Sequence, residues 1–258
     1  MFKQCLTTSA LVLLCASLTQ AGPYAPAAGQ PGSTAFHMDD PAFVGWATGY
    51  ENYLVGSDCS ANWQTPEKAL GKAVGTSHDI VSLGRGGEIT LLFDNAIKNG
   101  QGYDFAVFEN GFSDTFLDLA WVEVSSDGEN FFRFDNDSQT TSPVAAFGTV
   151  DPTNLTGLAG KYKQGYGTPF DLEDLVGVSP LLDVDHVGYV KLVDIVGDGA
   201  CLDTDGDVIY DPYPTSGSAG FDLEALGVIH AVPEPGAVVS LLTLVLACVA
   251  RAAGRRQA

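Results

Sequence analysis

Alternating apolar and polar residues dominate the middle of the chain and predict β-strands there. Six runs rich in aromatic or β-branched residues, each bounded by Gly, Asn or Asp, follow the two-residue period of a half-buried strand. They cover residues 86–94, 103–110, 120–128, 130–135, 187–195 and 220–230. Many short strands with turns at this spacing predict an all-β fold, an antiparallel β-sandwich of jelly-roll type.

One pair of these runs, in WVEVSSDGENFFRF, predicts a hairpin. Trp121, Glu123 and Ser125 fall on one side of the first strand, and the valines between them fall on the other. The dipeptide Asp127-Gly128 is able to supply a tight turn. Elsewhere, TPEKAL and residues 171–175 predict short helical turns, and residues 140–185 are otherwise rich in loop signals.

The first 21 residues have the pattern of a secretory signal peptide. Lys3 gives a positive start, residues 10–18 form an apolar core, and Thr19 and Ala21 are small residues at cleavage spacing. A buried first helix is the alternative, but the apolar stretch is short and its flanks fit export. Residues 22–35, rich in Pro, Gly and Ala, predict a flexible lead-in to a domain over 36–231.

An uncharged apolar run from residue 236 to 250 predicts a C-terminal transmembrane helix. At about 1.5 Å per residue it spans roughly 22 Å, short of the roughly 30 Å hydrocarbon core, so the helix is extended to residues 236–253. Arginines beyond the run favour a cytoplasmic C-terminus and an exported body. A helix packed on the body is the alternative, although two prolines separate it from the preceding strand. The flanking residues are Pro233, Pro235, Arg251, Arg255 and Arg256.

The last 27 residues, 232–258, resemble the PEP-CTERM sorting signal of bacterial surface proteins. The parts that carry the resemblance are an apolar helix between the motif Val232, Pro233, Glu234, Pro235 and the arginine-rich end, Arg251, Arg255, Arg256. The resemblance implies processing by an exosortase-type sorting protease and an association with exopolysaccharide. It also implies a cell-surface or extracellular location, with the helix holding the protein in the inner membrane before processing.

The net negative charge of the body limits the classes of molecule that it can bind. It keeps 31 of the 32 acidic residues but only 8 of the 12 basic ones. Nucleic acid and anionic membrane surfaces are poor partners for such a negative field, whereas cations are favourable ones. The body retains two cysteines, Cys59 and Cys201, and in an oxidising compartment a single pair predicts one disulfide. Two free buried thiols are the alternative.

The densest group of oxygen ligands lies in CLDTDGDVIYD, with Asp194 and Asp198 just upstream. Carboxylates at alternate loop positions can converge on one Ca²⁺. Gly206 and Pro214 depart from the EF-hand spacing, so we expect a calcium-stabilised loop of another kind, and a solvated acidic turn is the alternative. The candidate ligands in this loop are Asp203, Asp205, Asp207 and Asp211.

The hairpin, together with FAVFENGF and GFDLEALGVIH, resembles the discoidin-like, galactose-binding-like jelly roll. In such modules a carboxylate on the closing strand often helps to hold a structural calcium, which by resemblance implicates Asp222 and Glu224 and, more weakly, Glu109. An exposed polar strand face is the alternative.

Sugar binding needs aromatic rings beside polar groups. Eight aromatic side chains in loop-like segments are candidates, although a core would use the same residues. They are Trp46, Tyr50, Tyr53, Trp63, Tyr162, Tyr166, Tyr210 and Tyr213.

No enzymatic motif stands out in the sequence. The histidines are scattered, without HExxH spacing, and no GxSxG or phosphate-binding glycine loop occurs. We therefore expect a non-enzymatic protein of the cell surface or extracellular matrix, with a binding or structural role. The alternative is a secreted glycoside-processing enzyme, because a chain so rich in acids always contains carboxylate pairs.

Overall fold

The computed structural model of the chain describes residues 22–76 and 78–233. This part forms short strands joined by turns and by 3₁₀ helices at Ala61–Trp63, Pro66–Ala69, Pro152–Asn154 and Leu172–Leu175. The strands are β1 (Phe36–His37), β2 (Gly45–Trp46), β3 (Gly49–Leu54), β4 (Val81–Ser82), β5 (Glu88–Ile97), β6 (Phe105–Glu109), β7 (Ala120–Ser125), β8 (Phe132–Arg133), β9 (Asp137–Ser138), β10 (Val144–Ala145), β11 (Leu155–Thr156), β12 (Tyr166–Phe170), β13 (Val187–Asp194), β14 (Pro212–Tyr213) and β15 (Asp222–Val228).

Two antiparallel sheets make up the body. One runs in the order β1-β12-β6-β15-β2, with β4 also paired to β15, and the other runs β3-β5-β13-β7-β8. Two small pairs lie beside them: β9 with β11, antiparallel, and β10 with β14, parallel. The predicted all-β class with antiparallel sheets is confirmed.

The apolar residues of alternate strand positions bring the two sheets together over one core. Strands β5, β7 and β13 contribute from one sheet, and β6 and β15 contribute from the other. Strand β15 is buried along its whole length because a second apolar cluster, including Phe43 and Ala73, also packs against this sheet. The core residues of the central strands are Ile89, Leu91, Phe105, Val107, Val122, Val124, Val190, Leu192, Leu223 and Leu226.

The predicted strand runs contain β6, β7, β8, β13 and β15, and the run 86–94 covers β5 except for its last three residues. The predicted helical turns are also present, as the 3₁₀ helices at Pro66–Ala69 and Leu172–Leu175. Strands β3 and β12 fall in segments where glycine and proline obscured the alternation. Tyr166–Phe170 reads YGTPF, yet it is held between β1 and β6.

The predicted hairpin forms, with Glu123 opposite Arg133 and Val124 opposite Phe132. Its loop is wider than the predicted tight turn, because residues 126–131 separate the two strands. The Asp127 carboxylate organises this loop by accepting from the backbone N–H groups of Glu129 (2.9 Å) and Asn130 (2.8 Å). Such side-chain-to-backbone bonds stabilise an irregular turn.

The two ends of the described chain lie against the body. In the predicted lead-in, the Tyr24 N–H donates to the Thr153 carbonyl at 3.0 Å. At the other end, the Val232 N–H donates to the Ala96 carbonyl at 2.8 Å. Val232 and Pro233 begin the predicted sorting tail.

The rest of that tail and the predicted signal peptide lie outside the described residues. They include residues 1–21, Glu234, Pro235, the predicted helix 236–253, Arg251, Arg255 and Arg256. Across 22–76 and 78–233, no helix is both long and apolar enough to cross a membrane.

The predicted disulfide is not formed, and both cysteines are free thiols. The Cys59 thiol is placed to donate to the Ser82 carbonyl at 3.8 Å, beside β4. Cys201 instead packs against a second core cluster that contains Leu117 and Ile209. The two thiols therefore have different neighbours, and the alternative of two free thiols describes them instead.

Candidate functional site

The first group of predicted calcium ligands lies in a turn that we call the acidic loop, residues 201–211. Asp203 is buried, and its carboxylate is used within the protein. Its Oδ1 accepts from the N–H groups of Asp205 (3.1 Å) and Asp207 (2.8 Å), and its Oδ2 accepts from the Ser138 N–H at 3.0 Å. Asp203 therefore shapes the acidic loop and joins it to β9.

Asp205 and Asp207 project from the same loop and are exposed. They line one side of an open cleft of about 620 Å³, which we call the acidic cleft. Its other walls come from β9 and the residues that follow it. The cleft is lined by Asp137, Ser138, Gln139, Thr140, Thr141, Asp205, Asp207, Val208 and Tyr210.

A second acidic group lies inside the protein, at one end of the two sheets. We call it the carboxylate cluster: Glu109, Asp118, Asp194, Asp211 and Asp222, all buried. Sheet register explains the convergence. Leu223, next to Asp222, pairs with Glu109, and Asp194 pairs with Ala120, two residues after Asp118. Residues remote in sequence thus meet where β6, β7, β13 and β15 begin or end.

Backbone N–H groups satisfy part of the carboxylate cluster. Asp194 accepts from Gly86 at 2.8 Å and from Phe221 at 2.7 Å. Asp211 accepts from Leu119 at 3.2 Å. Asp222 has hydrogen bonds with Ser82 and Ser218, but among the described residues its enclosed Oδ1 has no hydrogen-bond partner. A buried acceptor without a partner is costly, so this atom marks a place where a donor or a cation would be stabilising.

Burial and mutual repulsion raise the pKa values across the cluster. Burial raises the pKa of Asp222 to about 7; hydrogen bonds with Ser82 and Ser218 oppose this shift, and the charge of Asp194 adds to it. Burial also raises the pKa of Asp194 to about 6, although Arg85 and two backbone N–H groups oppose the shift. The pKa values of the other three, Glu109, Asp118 and Asp211, are raised by burial and by neighbouring cluster carboxylates.

Positive charge at the cluster is scarce. Among the described residues, Arg85 is the one basic side chain that lowers a pKa there, through Asp194. Arg85 also pairs with Asp58 at 2.9 Å and lies 5.0 Å from the centre of the Tyr213 ring. Its charge is thus shared, and much of the negative charge of an ionised cluster is uncompensated.

Glu224, the last predicted ligand, lies apart from the cluster. Its Oε1 accepts from the N–H groups of Val74 (2.7 Å) and Gly75, and burial raises its pKa. Strand β15 changes register against β6 between Leu223 and Ala225. Such a bulge re-aims the side chain at Glu224, so Asp222 and Glu224 do not share the exposed face that strict alternation predicts.

The six predicted calcium ligands therefore lie in three places rather than in the two predicted groups, the loop and the closing strand. Asp203, Asp205 and Asp207 belong to the acidic loop, Asp211 and Asp222 to the carboxylate cluster, and Glu224 to a separate backbone cradle. Over the described ranges, no three His, Cys, Asp or Glu side chains are grouped as a metal cage. The sequence pattern found Glu109 and Asp194 as acidic candidates, but it missed Asp118, which no local spacing marks.

The aromatic candidates are mostly used in packing or internal hydrogen bonds. Tyr162 is buried, Trp46 packs on Phe43 and Phe108, and Tyr53 donates to the Ser82 carbonyl. Of the eight, only Tyr210 lines the acidic cleft.

No protein-family model matches this chain, and no curated protein matches it either.

Proposed function

We propose that this chain is an exported, calcium-stabilised β-sandwich of jelly-roll type, with a binding or structural role at the cell surface or in the extracellular matrix. The signal-peptide pattern, the tail resembling PEP-CTERM signals and the strongly acidic body support export. The two sheets with their common core support the sandwich architecture.

The observation that most directly supports a calcium site is the carboxylate cluster, in which the Oδ1 of Asp222 has no hydrogen-bond partner among the described residues. Buried carboxylates whose charges raise one another's pKa values either take up protons or are stabilised by a cation. Calcium accepts backbone carbonyl and water oxygens besides carboxylates, so two cluster carboxylates are enough to begin a site. Extracellular fluid offers calcium at concentrations that weak structural sites can use.

The proposed partners follow from the tail and the charge. An exosortase-type protease would process the tail during export, and polysaccharide is the proposed matrix partner. Nucleic acid is not a proposed partner, because the body carries far more acidic than basic residues.

A calcium titration of thermal unfolding tests the stabilising role. We expect the melting temperature of the purified protein to rise with calcium and to fall in chelator, because only the folded state gathers the carboxylates. Magnesium at the same concentration is the control for ionic screening, and it should raise the melting temperature less. An equal response to both ions, or no response, contradicts a calcium site.

A secreted glycoside-processing enzyme is the second candidate, and the acidic cleft is the observation that favours it. Asp137, Asp205 and Asp207 line a surface open to a polymer, whereas the carboxylate cluster is too buried to meet one. Release of reducing ends from polysaccharide, lost in Asp205→Asn and Asp207→Asn, would favour the enzyme.

A further inference from the structure

The acidic cleft combines three kinds of group that suit a polyhydroxylated ligand. Asp205 and Asp207 offer exposed carboxylates on one side, and Tyr210 offers an aromatic ring. Ser138 and Thr140 line the cleft from β9 and the segment after it. The volume of about 620 Å³ lies within the roughly 300–1,000 Å³ of typical ligand pockets.

Two hydroxyl groups on residues that line the cleft have no hydrogen-bond partner in the part of the chain that the structure describes. Ser138 is only 3% exposed, and its Oγ is enclosed without a hydrogen bond. The Oγ1 of Thr140 is enclosed and unpartnered as well. Buried hydroxyls nearly always have a partner, so these two atoms point to a ligand or to ordered water between ligand and protein.

The charge of the cleft is negative and unopposed. Within the described part of the chain, no ion pair involves Asp137, Asp205 or Asp207. The hydroxyl of Tyr24 donates to Asp137, and this bond, with burial and the carboxylates of Asp137, Asp205 and Asp203, raises the pKa of Tyr24 to about 12. An anionic ligand would therefore be repelled.

We propose that the acidic cleft binds a neutral or amine-bearing glycan, whose hydroxyl groups donate to Asp205 and Asp207 and whose apolar sugar face lies on Tyr210. The hydroxyls of Ser138 and Thr140 are enclosed in the opposite wall, and they would bond to the ligand once their side chains rotate toward the cleft. This inference rests on the proposed role as a polysaccharide-binding module and names the site and the ligand class. Glycans rich in carboxylate or sulfate groups are excluded by charge.

Asp203 is the positioning residue of the cleft. Its carboxylate holds both the acidic loop and β9, so the two walls keep a fixed spacing before any ligand arrives. Preorganisation of this kind reduces the entropy lost on binding.

Calorimetry on the purified full chain tests the proposal, with calcium at one concentration for all probes and the uronate arm repeated in chelator, so that a calcium bridge to the cleft is recognised. The probes are a neutral hexose oligomer, a chitosan oligomer and a uronate oligomer of equal length. We expect binding of the first or second and none of the third. Asp207→Asn should weaken binding about tenfold, the worth of one hydrogen bond to a charged group. Tyr210→Leu should weaken it similarly, because it keeps apolar bulk but removes the ring.

Two exposed residues outside the cleft supply matched controls. Glu129→Gln and Phe147→Ala should leave affinity unchanged. Tyr210 also packs against the second core cluster, so the Tyr210→Leu variant could fail to fold. In that case the exposed Asp207→Asn variant still tests the proposal.

The outcomes distinguish a failure of the cleft assignment from a failure of the proposed polysaccharide-binding role. Binding that survives Asp207→Asn, or that favours the uronate oligomer, overturns the cleft assignment but leaves a polysaccharide-binding role. Failure of all three probes to bind overturns the assignment and the polysaccharide role together.

Discussion

The carboxylate of Asp203 accepts a hydrogen bond from the backbone N–H of Ser138 at 3.0 Å, across 65 residues of sequence. The same side chain caps its own loop through the N–H groups of Asp205 and Asp207. One buried aspartate therefore couples the acidic loop to β9 and sets the width of the cleft between them.

Replacing Asp203 should destabilise the protein more than replacing its exposed neighbours. Asp203→Ala leaves backbone N–H groups without an acceptor and should lower the free energy of unfolding by about 3 kcal/mol. Urea denaturation measures the change. Asp205→Ala is the control, and this exposed site should change stability by less than about 0.5 kcal/mol. Equal effects of the two variants would contradict a structural role for Asp203.

Calcium-free protein should become more stable as pH falls from about 8 to about 5. Folding raises the pKa values of Asp222 to about 7 and of Asp194 to about 6, so folding favours their protonated forms. That stability is present at low pH and is lost as pH rises through 6 and 7, and Asp222 alone accounts for roughly 2 kcal/mol. Thermal melts in chelator at several pH values give the slope. A slope of the opposite sign means that the cluster is ionised and compensated without a metal.

Neutralising Asp222 should remove the calcium response. At pH 8 in chelator, Asp222→Asn should raise the free energy of unfolding by roughly 2 kcal/mol, because the buried charge is gone. Calcium should then raise its melting temperature much less than that of the unmodified protein. Glu129→Gln, which removes an exposed charge, should keep the full calcium response. If Asp222→Asn also keeps it, calcium acts somewhere else.

The two body cysteines should react as thiols. Each is half-buried, and burial raises the pKa of both Cys59 and Cys201. Alkylation should therefore be slow at neutral pH, faster at higher pH, and complete at both sites once the protein is denatured without reductant. Mass spectrometry of the tryptic peptides counts the labelled sites. A disulfide-linked peptide pair containing both cysteines would contradict this prediction.

Much of the fold could be predicted because local pattern and final environment agree there. β5, β7 and β13 follow the predicted strand runs, and the two valines assigned to one face of β7, Val122 and Val124, lie between the two sheets. β12 was missed because Gly167 and Pro169 are poor strand formers, and only its pairing with two neighbours holds it extended.

The candidate sites, too, could be predicted from the sequence only in part. The acid-rich loop was visible in the sequence, but alternate spacing could not show that Asp203 faces backbone N–H groups while Asp205 and Asp207 face solvent. The bulge at Glu224, which separates it from Asp222, likewise has no sequence signal.

The sequence by itself determined the strand periodicity, the acidic character of the body and the two terminal patterns that predict export, since each depends on neighbouring residues or on composition. Only the tertiary structure decided which carboxylates meet. Glu109, Asp118, Asp194, Asp211 and Asp222 come together through strand pairing between distant segments, and burial there changes their protonation. Because Coulomb interactions and desolvation depend on distance and enclosure, a one-dimensional pattern carries the charges but not their coupling.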